Sequence, residues 1–197
     1  KWLRLIKDFN FTPLPSSFNF NTNINRQYGE TLLRNNTSYQ AAIDTTFNKF
    51  WNWTRTYDLK WDLTKSLKFD FNALNTSKVD EPNGRIDTES KKEIVRKNFW
   101  SGGRNTDYHH SGNISYQVPL SKIPIVDWIQ LNARYGFDYT WQAAPSVIDS
   151  STFTLVPNPI LQNTIQNSNT KQLNGTLTFT QLYNKLPFFK RLLAPTP

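Results

Sequence analysis

His109 and His110, two residues after Asp107, are the strongest candidates for chemistry in this chain, because imidazole pairs beside a carboxylate hold metal ions. Their adjacency argues against that use. Successive side chains of a strand point to opposite faces, so the two rings cannot easily close on one ion. Gly102-Gly103-Arg104 lacks the Gly-x-x-x-x-Gly-Lys-Ser/Thr spacing of a phosphate loop and reads as a flexible turn at a loop end. Asp and Glu are plentiful, yet no pair stands out from scattered surface carboxylates as an acid–base dyad. Triplets of the form Asn-x-Ser/Thr occur, Asn36-Thr37-Ser38 among them, and are too short to carry meaning by themselves. With no cysteine there are no disulfides, thiolate metal sites or thiol nucleophiles. The expectation is a chain with no catalytic, cofactor-binding or metal-binding residue, and not an enzyme.

The elements that would position these residues are written in a different pattern. From Phe50 to Phe71 the chain reads FWNWTRTYDLKWDLTKSLKFDF. Every even position from Asn52 to Asn72 is polar, and nine of the eleven odd positions from Trp51 to Phe71 are apolar, Arg55 and Lys65 being the exceptions. A period of two is the mark of a strand with two unlike faces. The pattern recurs, and six strands are expected at 17–28, 47–63, 67–76, 107–120, 128–142 and 171–182. The fifth is the clearest, with Ile129, Leu131, Ala133, Tyr135, Phe137, Tyr139 and Trp141 set against Gln130, Asn132, Arg134, Gly136, Asp138, Thr140 and Gln142. No helix is comparably clear; Lys1 to Lys7 and Tyr183 to Leu193 could each form a short amphipathic turn or two.

Connections alternate in length. Thr64-Lys65-Ser66 and Ser121 to Asp127 are short, whereas 29–46, 77–106 and 143–170 are long and polar. Short turns at one end and long loops at the other are the layout of outer-membrane barrels, with the long loops extracellular. The fold class expected is therefore all-β, antiparallel transmembrane strands forming an arc of a very large barrel. Trp51 and Trp53 at one end of the second strand, Tyr139 and Trp141 at the end of the fifth, and Trp61 and Trp128 near the short turns match the aromatic girdles of such walls. Leu131, Ala133, Tyr135 and Phe137 would meet lipid between them. Asp58, Lys60, Asp62, Lys68, Asp70, Asn132, Arg134 and Asp138 would face the lumen, where charges of both signs can meet across strands.

Mean hydropathy of −0.62 and 37% hydrophobic residues look soluble, but a strand that shows lipid only one face escapes that measure. The net charge of +8 is spread along the chain, with one modest cluster at Lys91, Lys92, Arg96 and Lys97 broken by Glu93. A solvated loop face explains it better than a nucleic-acid partner, and lipid phosphates are another destination for basic residues near a membrane. The chain starts at Lys1 and contains no methionine, so it is expected to be a piece of something larger.

FNFTPLPSSFNFNTNINRQYGE (residues 9–30), residues 100–145, WDLTKSLKFDF and the closing NKLPFFKRLLAP resemble the SprA/Sov family, the giant outer-membrane translocon of the type 9 secretion system of Bacteroidetes. The resemblance extends over nearly the whole chain, without any single chemical signature. It implies one chain closing a barrel of up to about 36 strands. It also implies export of folded cargo with a C-terminal signal, a role in gliding motility and adhesin display, an outer-membrane cap protein, a periplasmic plug protein, contact with outer-membrane lipid, and no nucleic acid. The residues themselves leave two alternatives open. One is a soluble or surface-anchored β-sandwich for binding or adhesion; the other is a different outer-membrane transporter barrel.

Overall fold

A computed structural model of the chain describes residues 10–33, 45–123, 125–148, 155–158 and 160–185. Six strands form one antiparallel sheet: β1 (Ser17–Thr31), β2 (Thr46–Trp61), β3 (Leu67–Lys78), β4 (Arg104–Val118), β5 (Ile129–Gln142) and, after a separate hairpin of β6 (Ser146–Ile148) and β7 (Leu155–Pro157), β8 (Thr164–Leu177). The order is a meander, β1-β2-β3-β4-β5-β8, left open between β1 and β8. The main strands are 12 to 16 residues long, against about 5–6 in ordinary soluble sheets.

The β2–β3 turn shows why the 21-residue alternation breaks where it does. The Thr64 hydroxyl accepts the N–H groups of Ser66 (3.2 Å) and Leu67 (2.9 Å), folding the backbone on itself. Lys65, one of the two exceptions to the period, is at the turn. The β4–β5 link carries a 3-10 turn (Leu120–Lys122) and lies at the same end. The three long connections lie at the other.

Besides the β6–β7 hairpin within 143–170, the structure differs from the sequence expectation in two places. The 77–106 segment contains a helix, α1 (Glu89–Trp100). Thr88 caps its N-terminus, its hydroxyl accepting from the Lys91 N–H. Gly102 and Gly103, at φ 87° and 72°, end it by sending their N–H groups back to the Phe99 and Asn98 carbonyls. The second difference is the last main strand, which runs from Thr164 to Leu177 rather than 171–182, and Phe179–Lys185 form the short helix α2. Phe179, Leu182 and Tyr183 fit a helical stripe as well as Leu177 and Phe179 fit a strand, so the alternation ran on too far. Docking of the Phe179 ring beside Trp128 (6.2 Å between centroids) accompanies the helical outcome. Lys1 to Lys7 lie outside the described residues, as does Asn36-Thr37-Ser38.

Almost nothing is buried. Among the described residues the buried apolar side chains are Ala73 and Val79, with Ser77 between them in sequence. A sheet this size with so small a core does not draw its stability from its own packing.

Candidate functional site

The register sorts the side chains into two faces. Asp58 lies opposite Asn72, Lys60 opposite Asp70, Asp138 opposite Ser111, and Asn132 between Gln117 and Asn174. Arg134 donates to the Asn113 amide oxygen (3.3 and 3.2 Å). Asp58 also accepts from the Asn72 amide. Asp62 lies just past β2, where the Ser16 hydroxyl donates to it (2.9 Å) and Lys68 approaches to 3.5 Å. That hydrogen bond, then Lys68, holds its carboxyl below the usual carboxylate range. The eight residues read as lumen-facing thus come together along one polar face, with positive and negative groups interleaved. Leu74 and Phe50 are its apolar exceptions.

Trp51, Trp53, Trp61, Leu131, Ala133, Tyr135, Phe137, Tyr139 and Trp141 share the other face. Here Leu59, Phe71, Gly112 and Phe137 stand in one row across four strands. A Cβ on Gly112 would lie 2.2 Å from Phe137 Cζ, so the ring covers the glycine of the neighbouring strand. His110 stacks on Tyr139 (5.0 Å, 21°), whereas His109 is on the polar face, with Nδ1 3.0 Å from the Thr140 hydroxyl and Nε2 3.5 Å from Asp138. The pair points to opposite sides of the sheet, as its adjacency requires.

The apolar band is oblique to the strands. Its residue nearest the short-turn end is Phe18 on β1, Trp61 on β2, Leu67 on β3, Val118 on β4, Ile129 on β5 and Leu177 on β8. By register these step down four rows, or eight residues, over five strand-to-strand steps. At about 3.4 Å per residue and about 4.8 Å between strands, the band edge makes an angle of about 48° with the direction across the strands. On β5 the apolar residues run from Ile129 to Trp141, which projects to about 27 Å perpendicular to that edge.

At the long-loop end the apolar face of β1 and β2 is covered by residues 79–103. Phe99 of α1 stacks on Trp51 (5.6 Å) and Trp53 (5.2 Å). The helix presents Lys91, Val95, Asn98 and Phe99 inward, at i, i+4, i+7 and i+8. Arg55, the other exception to the period, explains itself here. Its guanidinium donates to the Ser77 hydroxyl (2.9 Å) and the Gly102 carbonyl (3.0 Å), and lies 4.8 Å from the Trp53 ring. Arg26 pairs with Glu81 (2.7 Å) and lies over Trp51; Lys49 donates to the carbonyls of Pro82 (2.6 Å) and Gly84; Arg85 pairs with Glu30. Arg104 grips Asp80 with two bonds (2.8 and 3.1 Å) at the foot of the excursion. The basic cluster at Lys91, Lys92, Arg96 and Lys97 is thus helical, with Glu89 taking both Lys92 (3.5 Å) and Arg96 (3.1 Å).

Sequence reasoning missed this docked helix, although Thr88, Glu89 and the Gly102-Gly103 stop were all visible as boundary signals. The tryptophans of β2 separate into two settings: Trp51 and Trp53 lie beneath α1, while Trp61 reaches the Thr12 carbonyl (2.9 Å) at the short-turn end. Among the described residues no three His, Cys, Asp or Glu side chains gather in a way that could hold a metal ion. No known protein family matches the chain when its sequence is compared with family descriptions, and no curated protein matches it either.

Proposed function

We propose that this chain is an arc of wall in a very large outer-membrane β-barrel through which folded cargo proteins leave the cell. The observation that carries the reading is the oblique apolar band. A band parallel to a membrane must cross strands that are themselves tilted by about 35–45°, and the outward apolar band of known barrels is about 25 Å tall. The slope of about 48° derived from the register is a few degrees steeper than that range, and the height of about 27 Å is close to the second figure. The opposite face mixes Asp58, Lys60, Lys68, Asp70, Arg134 and Asp138 among Asn, Gln and Thr. Such a lining lacks a large single-sign patch and suits passengers of varied surface charge. The resemblance to the type 9 translocon supplies the rest of the proposal: cargo marked by a C-terminal signal, the cap and plug partners, and service to gliding motility. Work for transport would come from an inner-membrane motor.

A β-sandwich adhesin would need a second sheet over Phe71 and Phe137. The separate β6–β7 hairpin has only three residues per strand. A cysteine scan separates the two readings, since this stretch has no cysteine of its own. In the full-length protein, with any reactive cysteines elsewhere removed, Asn132→Cys and Arg134→Cys should react with a hydrophilic maleimide. Leu131→Cys and Ala133→Cys should not react, and labels placed there should be quenched by nitroxide lipid. Equal reactivity of the two sets rejects the wall.

A further inference from the structure

The loop end of the apolar face carries more than a wall needs. Between α1 and the β1–β2 pair lies an open pocket of about 350 Å³. Arg26, Lys92 and Arg96 line it together with Trp51 and Phe99. Two carboxylates answer these three cations: Glu81 takes Arg26, and Glu89 is shared by Lys92 and Arg96. One positive charge remains over. On the outward side of α1, Ile94 is 48% and Trp100 80% exposed. Lys97 lies midway between them in sequence, so the three fall within about a third of the helix circumference.

Position decides what such a combination meets. Arg26 is eight residues above Phe18 on β1, which at the slope of the band is about 18 Å up a band about 27 Å tall. The helix therefore lies towards the outer edge of the band and on its apolar side. The polar face, where cargo would pass, is on the other side of the sheet. A basic amphipathic helix with an exposed Trp at that depth is built like an interfacial membrane element.

We infer that α1 and the pocket beneath it bind the phosphate of an anionic lipid headgroup in the outer leaflet. This inference rests on the wall reading. Arg26, Lys92 and Arg96 supply the charge for the headgroup, and Ile94 and Trp100 supply an apolar shoulder for the acyl chain. A nucleic-acid partner would leave that shoulder without an apolar complement.

The test uses the full-length protein in nanodiscs of zwitterionic lipid, with phosphatidylglycerol titrated as the anionic probe. Retained lipid is read by native mass spectrometry. The wild type should retain phosphatidylglycerol, and Lys92→Gln combined with Arg96→Gln should weaken retention about thirtyfold, at roughly one charge's worth of attraction per residue. Lys92→Arg with Arg96→Lys should keep it, and heat-modifiability of the barrel should be unchanged in both. Unchanged retention in the Gln variant overturns the inference. So does full displacement by inorganic phosphate, which would show a small-anion site instead. If the wild type forms a barrel but shows no preference for anionic lipid, this inference falls alone; if it never enters the membrane, the wall reading falls with it.

Discussion

The two ends of one face obey different rules. At the long-loop end of β1 and β2, the apolar face admits Arg26, Lys49 and Arg55, and each finds a partner in residues 79–103: Glu81, the Pro82 and Gly84 carbonyls, and the Gly102 carbonyl. Elsewhere on that face, from Leu59 and Phe71 across to Val118, Leu131 and Leu177, the one charge is Lys171 on the edge strand β8. Charges occur where the chain supplies its own cover. Where it does not, the side chains of β3 to β5 are mostly apolar or aromatic, and polar ones return on β8 with Asn167, Asn169 and Lys171. A second protein layer would present some hydrogen-bonding groups and invite matching ones, whereas hydrocarbon invites none. The contrast is what the proposed wall needs of β3 to β5.

The largest effect should come from putting a charge into the bare region. Ala133→Arg should block assembly of the full-length protein in the outer membrane, because a lipid-facing Arg costs roughly 2–4 kcal/mol near the midplane. Asn132→Arg, one residue away on the other face, should assemble normally. Heat-modifiability and surface protease protection of the two variants give the measurement; equal assembly would erase the distinction between the faces.

The next effect belongs to the covered region. Gly103 has φ 72°, and a Cβ there would lie 2.8 Å from the Lys78 carbonyl oxygen. Gly103→Ala should therefore cost about 1–3 kcal/mol in strain and loosen the α1 excursion. Arg55→Met should do the same by about 2 kcal/mol, by removing charged bonds to Ser77 and Gly102. Both should speed proteolytic nicking within 79–103 by tenfold or more while the strands remain paired. Unchanged nicking would mean that α1 is held by something other than these contacts.

Gly112→Ala sharpens the comparison by giving a smaller effect than its geometry alone would demand. Phe137 occupies the space of the new methyl, but nothing among the described residues holds the outer side of that ring. In the proposed wall it can swing into lipid, at a cost of about 1 kcal/mol. A loss of 3 kcal/mol or more in denaturant unfolding would show that the bare face is packed against protein after all.

Acid should produce the smallest change, and on the apolar face only at the covered end. Arg96 holds the Glu89 carboxyl below its ordinary value of 4.5, and the Asp87 carboxyl lies below 3.8 through backbone hydrogen bonds and Lys91. Groups with depressed values in the folded state stabilise it above their unfolded pKa and lose that contribution as pH falls through the folded one. Hydrogen exchange of α1 should be flat, after correction for intrinsic rates, from pH 8 to about 5, and should rise only below about 4. Amides of the bare region of β5 should show no such rise.

Strands and faces were legible in the sequence because a period of two is a local property. Asn132 and Ala133 are assigned to opposite sides by nothing more than adjacency on a strand, and so are His109 and His110. The end with short turns was legible too, through Thr64-Lys65-Ser66. What the sequence could not determine was the fate of residues that satisfy two periods or none. Phe179 fits a strand and a helix equally, and its position beside Trp128 accompanies the helix. Trp51 and Trp53 carry the same alternation as Trp61, yet they are stacked under Phe99, a residue 46 positions beyond Trp53. Arg55 broke the pattern without explanation until the Gly102 carbonyl, 47 residues away, came to meet it. Alternation tells which way a side chain points. What it meets there depends on contacts between distant parts of the chain, and those exist only once the chain has folded.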